Sequence, residues 1–493
     1  MSRTPRLSLN AFAFDGGKRN LDTGEHFLAL WRRALNRPAL DTLTPALLEG
    51  WATERGLQVE QAQERDVGAF NPIKCIVLKL VGGASGCFPK IPPRGDLLWE
   101  SRHANAERRA GIWEKMEWFS PFWIPNGKVR ELLSAVDRVP KERAIEVFNY
   151  HTSTLYTLAF QAVCIEQFMR KARSLAEFVP LAREAYLAFY SGYRAASLAA
   201  LIPVIEGALT RIVEGGGDLK PGEKVDRAID KAVALAAKLR FEKMWVPREY
   251  LTTEFLFSHD QMVFAFETFR RWLHRSFFRQ TGEYDGRTWL NRHVFAHGMS
   301  SSWQQSSNFT RIVVALATLG AVESWHDDSH ELSLLMPEMS DTSTLLWQRA
   351  LLQAQAQFTL NALAEHNYHK HGRLVPEMPT DDGSLQRKAL LSEDCMNDLV
   401  RPLREAGWSV EVSEPDDKGL YMTVTAKGTE EQFCVALLYS CATDNALYRK
   451  FAETCRAILY RGPPYQQEQF ARGISVHVGP VTGWQPPLAP SRR

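Results

Sequence analysis

The chain is poor in cysteine. Seven are scattered through 493 residues (Cys75, Cys87, Cys164, Cys395, Cys434, Cys441 and Cys455), and none forms a C-x-x-C pair. An odd, sparse set reads as reduced thiols in a cytosolic protein. An excess of one charge is missing too: Lys and Arg number 59 against 57 Asp and Glu. This excludes a polycation that coats nucleic acid over its whole surface, but not a local basic patch. The start, Met1 to Arg6, has no apolar stretch of the signal-peptide kind. The longest apolar run, Ile312–Val322, lies between Arg311 and Glu323 and has the length of a buried core helix. Secretion and membrane insertion are therefore not expected, and a cytoplasmic location is. Several motifs are absent as well: G-x-x-x-x-G-K-[ST], a G-x-G-x-x-G between strand and helix, G-x-S-x-G and H-E-x-x-H. Their absence argues against NTPases, dinucleotide enzymes, α/β-hydrolases and zincins.

What is present is the material of folded domains. Hydrophobic residues make up 45% and charged residues 24%, which excludes extensive disorder. Fourteen Trp and 26 Phe point to large, filled cores. At roughly 150 residues per domain the length suggests about three domains.

The expected fold class is mainly α. Residues 1–96 read as a mixed α/β region, with a strand over Leu7–Phe14, a helix over Glu25–Leu35 and a buried strand over Ile73–Val81. The Gly- and Pro-rich stretch Gly82–Asp96 reads as a loop. Residues 97–179 form a helical connecting region: a helix capped by Asp96, a short helix Lys128–Val139, and a long one over Glu142–Arg173. A helical bundle follows over 180–335, with helices at Tyr186–Val213, Lys224–Phe241, Asp260–Phe278, Thr288–Ala296 and Phe309–Trp325. Residues 336–375 hold one long helix, and Pro376–Gly383 a linker. Residues 384–480 read as a small α+β domain: helix Asp394–Ala406 closed by Gly407, strands at Trp408–Val412, Leu420–Thr425 and Gln432–Tyr439, helix Thr443–Tyr460 and strand Ile474–Val478.

The most informative segment is Leu290-Asn-Arg-His-Val-Phe-Ala-His-Gly298. It concentrates Asn291, Arg292, His293 and His297 at a helix end closed by glycine. Arginine grips phosphate oxygens in a fork, and histidine moves protons near neutral pH. On an ideal helix His293 and His297 share a face, while Arg292 and His297 diverge by about 140°. A distorted helix end or a second subunit would bring them together.

Arg292-His293-x-x-x-His297 resembles the signature of the HEPN superfamily, helical domains that include many bacterial defence and toxin ribonucleases. The upstream segment Ser197–Leu209, with Glu206, resembles an early helix of that fold carrying an acidic residue. The resemblance covers about residues 180–330. It implies a metal-independent endoribonuclease, in antiphage defence or as a toxin effector, needing no cofactor. In that chemistry the ribose 2′-OH attacks the adjacent phosphate. His297 would act as general base or acid and Arg292 would stabilise the phosphorane. His293 and Asn291 would orient the phosphate or the partner histidine. Glu206, buried by its sequence pattern, would pair with a site Arg or His, or equally with a neighbouring helix. The resemblance further implies RNA as substrate, a site completed across a homodimer or higher oligomer, and a regulatory or trigger protein. The other reading is a non-catalytic helical binding or assembly module, with Arg292 and His297 structural.

Other candidates stand beside it. Arg270, Arg271, Arg275 and Arg279 interleave with aromatics in Phe269–Arg279. They would track an RNA backbone and stack bases, or equally line the solvated face of an amphipathic helix. His366, His369 and His371, and His326-Asp-Asp-Ser-His330, invite a metal reading. A polar helix end and a solvated loop are the better readings, and no metal site is expected.

Overall fold

The computed structural model describes residues 19–69, 71–95, 97–214, 216–326, 339–371 and 383–490. The expected strand Leu7–Phe14, the cap Asp96, Asp327–His330 and Pro376–Asp382 lie outside them. The chain is mainly helical with two small sheets. It divides into two compact units. One runs up to Arg183 and resumes over Ala199–Leu345; the other comprises Glu184–Leu198 and Leu346–Arg493.

The first unit opens with helix Arg19–Leu35 and an antiparallel sheet of β1 (Val59–Val67), β2 (Ile73–Leu80) and β3 (Ser85–Pro89). β2 is the expected apolar strand. β1 carries Glu60, Glu64, Arg65 and Asp66 and has no apolar alternation, so it gave no strand signal. Its pairing partner supplies the reason it is extended, with Lys79 and Lys90 reaching Glu60 and Glu64 at 2.8 and 2.6 Å. β3 lies inside the stretch expected as loop. It is held there by residues far along the chain: Cys87 N–H donates to the Trp245 carbonyl at 2.7 Å, and Trp245 N–H to Ser85 at 2.9 Å. Phe27 and Phe88 each pack 5.5 Å from the Trp245 ring. The border expected after residue 96 therefore falls within one core.

Long apolar periodicity overstates helix length here. The stretch Glu142–Arg173 is broken: helix Lys141–Leu155 ends at Tyr156, and Thr157 caps a new helix by accepting from Phe160 N–H at 3.2 Å. Tyr186–Val213 is likewise two helices, Val179–Tyr190 and Arg194–Ile212, parted by Gly192 at φ 90°. Arg194–Ile212 is long and apolar enough to cross a membrane by length and composition. It carries Glu206, ion-paired with Arg292 in the same unit. Helix Pro221–Arg240 starts as its sequence dictates, with Pro221 in the first turn and the Glu223 carboxylate accepting from Lys220 N–H. Helix Ser306–Ser324 is buried on every side from Asn308 to Val322.

That helix holds Arg311 entirely inside the core, its guanidinium 4.7 Å from the Phe148 ring and 5.3 Å from that of Trp118. Asn149 Oδ1 accepts from it at 2.9 Å, and the Met116 and Glu117 carbonyls at 3.4 and 3.3 Å. Burial pushes the group down to about 10, the neighbouring Glu117 opposing the shift.

In the second unit five strands form one mixed sheet in chain order: β4 (Ser409–Val412), β5 (Tyr421–Lys427), β6 (Gln432–Leu438), β7 (Ala457–Tyr460) and β8 (His477–Pro480). β4, β5 and β6 run antiparallel; β6, β7 and β8 run parallel. One face packs on Leu391, Cys395, Leu399 and Leu403, the other on Tyr448 and Phe451. Gly407 ends the preceding helix at φ 93°, as expected. The helix expected over Thr443–Tyr460 stops at Thr454, and its last four residues are strand β7. All four are buried, and a short run buried on both faces has no period that separates strand from helix.

Candidate functional site

The candidate motif sits where an irregular segment enters a five-residue helix, Arg292–Ala296. Residues 288–291, expected as helix, are not helical, and Trp289 lies at φ 56°. Two buried side chains from elsewhere, Glu117 and Asn308, hold this segment. Glu117 Oε1 accepts from Arg287 N–H at 2.7 Å and lies 2.9 Å from the Lys141 ammonium, while Oε2 accepts from the Thr288 N–H and hydroxyl at 3.0 and 2.7 Å. Asn308 donates to the Thr288 carbonyl at 2.7 Å. Burial alone would raise the Glu117 carboxyl; the bonds from Thr288, Arg287 and Lys141 overcome it and hold the group below its ordinary value. Glu117 was missed in the sequence because it lies 170 residues upstream.

Asn291, expected to orient the phosphate or the partner histidine, is the helix cap. Its oxygen accepts from His293 and Val294 N–H, both at 2.9 Å, and its amide donates to the Ser276 and Arg279 carbonyls at 2.7 and 2.9 Å. It is fully buried. All four hydrogen-bonding positions of the amide are filled, which leaves none for a substrate.

Arg292 and Glu206 do meet. The Arg292 Nε donates to Glu206 Oε2 at 2.8 Å, with about a third of the Arg side chain exposed. Among the described residues this is its one hydrogen bond, made by Nε, so both terminal nitrogens keep their donors unused there. His293 and His297 stack nearly parallel, 9° apart with centroids at 6.3 Å. His297 ends the helix, exposed, and Gly298 follows at φ 62°. Burial pushes the His293 imidazole below its ordinary value, and the charges of Arg292 and His297 add to this against Glu206. His293 is therefore neutral at pH 7. One turn beyond Glu206, Thr210 receives the buried Lys224 ammonium at 2.9 Å. The arrangement thus offers a partly exposed guanidinium with unused terminal donors, a neutral imidazole and an exposed one. Together these can hold an anionic oxygen and exchange a proton.

The arginine ladder is different. Arg270 pairs with Asp230 at 2.6 Å, Glu267 at 3.1 Å and Asp226 at 3.4 Å. Arg271 makes a two-pronged contact with Glu107, both distances 2.8 Å, and Arg275 pairs with Glu114. Arg279 is half-buried, and its carbonyl holds Asn291. The expectation of a free RNA track is corrected: three of the four cations join helices Leu97–Lys115 and Pro221–Arg240 to this one.

Of the metal candidates, the His326 ring bonds the Ala228 carbonyl at 2.8 Å. His366, His369 and His371 end helix Asp341–His371, their side chains outside the described set. Among the described residues no three His, Cys, Asp or Glu side chains are grouped to hold a metal ion. No family model, curated protein or solved structure matches the chain.

Proposed function

We propose that the protein is a metal-independent endoribonuclease of HEPN type that works on its RNA substrate in the cytoplasm as a dimer or larger assembly. The observation that supports this reading most is the Arg292–His293–His297 cluster: an Arg held by Glu206 through Nε alone, beside two stacked histidines. Arg292 grips the scissile phosphate and stabilises the phosphorane. His297 exchanges the proton of the 2′-OH or the leaving 5′-oxygen. His293, kept neutral, accepts or donates a hydrogen bond to the same phosphate or to His297. A regulatory or trigger protein and a role in antiphage defence or as a toxin belong to the same proposal.

The experiment is RNA cleavage with EDTA present, by wild type, Arg292→Ala and His297→Ala. Cleavage that survives chelation, yields 2′,3′-cyclic phosphate ends and disappears in both folded variants supports the proposal. A Mg²⁺-dependent 3′-hydroxyl product would replace it with two-metal hydrolysis. Mixing the two inactive variants tests the shared site: restored cleavage requires both chains. A second reading has its own observation. Glu206 already neutralises Arg292 within one chain, as expected of a structural pair in a non-catalytic binding module. Unchanged cleavage, or none in wild type, with a lowered melting point for Arg292→Ala would favour it.

A further inference from the structure

We propose that Cys434 and Cys455 form a reversible oxidation site in the five-stranded sheet, closing to a disulfide when the protein meets a hydroperoxide. Their sulfurs stand 3.2 Å apart, about 1 Å more than an S–S bond of about 2.05 Å. The topology explains the encounter. Cys434 is the third residue of β6, and Cys455 directly follows helix Asn445–Thr454, two residues before β7. Parallel pairing sets Val435 opposite Ala457 and brings Arg456 N–H to the Cys434 carbonyl at 2.8 Å. Alternation along β6 sends Phe433 and Val435 to one face and Cys434, Ala436 and Leu438 to the other, where Cys455 packs. A bond between the two sulfurs fastens the start of the β6–helix–β7 crossover to its end.

The other five cysteines lack this combination. Cys164 and Cys395 are buried. Cys441 points at the Pro463 and Tyr465 carbonyls. Cys75 and Cys87 neighbour one another, but both are fully buried and sealed from a dissolved oxidant. Cys434 is only half-buried, so a small peroxide reaches the pair. The hydrogen bond shared with Cys434, helped by the Thr454 hydroxyl at 3.7 Å, holds the Cys455 thiol below its ordinary value against the opposing effect of burial. The same bond pushes Cys434 up. Cys455 is thus the nucleophile and Cys434 the resolving thiol.

The Cys455 thiolate attacks one peroxide oxygen. The O–O bond breaks, the departing hydroxide takes up a proton and leaves as water, and a sulfenic acid remains on Cys455. The Cys434 sulfur then attacks the sulfenic sulfur; the S–O bond breaks and a second water leaves with the Cys434 proton. The two thiols lose two electrons and the peroxide gains them. A dithiol reductant reverses the bond by thiol–disulfide exchange.

The test uses the reduced full-length protein, treated with equimolar hydrogen peroxide, alkylated with iodoacetamide in denaturant, digested and weighed by mass spectrometry. The expected product is a Cys434–Cys455 linked peptide, two hydrogens lighter than the separate peptides and released by dithiothreitol. Cys75, Cys87, Cys164 and Cys395 should remain alkylatable thiols. Cys434→Ser should accumulate the Cys455 sulfenic acid, captured as a dimedone adduct. Full alkylation of both Cys434 and Cys455 after peroxide overturns the proposal, as does linkage of either one to a different cysteine.

Discussion

Two clusters of cations in the first unit read alike in the sequence and differ in the fold. Arg270, Arg271 and Arg275 meet carboxylates on neighbouring helices. Arg292 meets one carboxylate through one nitrogen, and the imidazoles of His293 and His297 stack on each other at the surface. Apart from Glu267, three residues from Arg270, the carboxylates that silence the first cluster lie between 40 and 164 residues away in the chain. A cation's availability to a substrate is thus decided by which acids the packed helices bring to it, and a local motif does not contain that information.

The largest effect that would sharpen this contrast is at His297. His297→Ala should lower RNA cleavage by about 10²- to 10⁴-fold while leaving the melting temperature unchanged. A melting temperature several degrees lower with cleavage intact would move His297 into the structural class. Asn291 comes next. Asn291→Ala removes a cap, costing about 0.5–2 kcal/mol, and strands two buried carbonyls, costing about 1–3 kcal/mol. Urea denaturation should show the loss, and an equally stable variant that no longer cleaves RNA would return Asn291 to the substrate.

Glu117 should give a smaller, pH-dependent effect. Its carboxyl is held below the ordinary value, so it adds stability above the unfolded value of about 4.3. That stability is lost as pH falls through the folded value. Wild type should therefore melt progressively lower below about pH 4. Glu117→Gln, which cannot gain or lose this charge, should show a shallower slope in the same window; identical slopes would remove Glu117 from the acid response. The smallest effect belongs to Arg275, whose side chain is 57% exposed. Arg275→Ala should change stability by less than about 1 kcal/mol and leave RNA affinity and its salt dependence as they were. A salt slope reduced by about 1 would make Arg275 a phosphate contact after all.

Elements with strong local signals were legible. Helix Pro221–Arg240 has its proline, its capping glutamate and apolar residues at 225, 228, 229, 232, 233 and 236. β2 and the Gly407 stop were equally clear. The burial pattern around Glu206 left its partner open between a site Arg or His and a neighbouring helix, and only the packed helices bring it to Arg292. Illegible were β1, polar along its length; β3, held by Trp245; and β7, buried on both faces. The role of Asn291 was also misread, because a polar residue before a helix serves as cap or as ligand according to what surrounds it.

The sequence by itself determined the mainly helical character, the sparse thiols and the chemical types gathered at 291–297. These follow from composition and from spacing within one or two turns, where each residue's neighbours are its chain neighbours. Only the tertiary structure decided which of those groups stay exposed, which arginines are neutralised, and which of the seven cysteines meet, Cys434 with Cys455 and Cys75 with Cys87. Ion pairing, burial and sulfur–sulfur contact act over a few ångströms between residues far apart in the chain, so they exist only once the helices and sheets have packed.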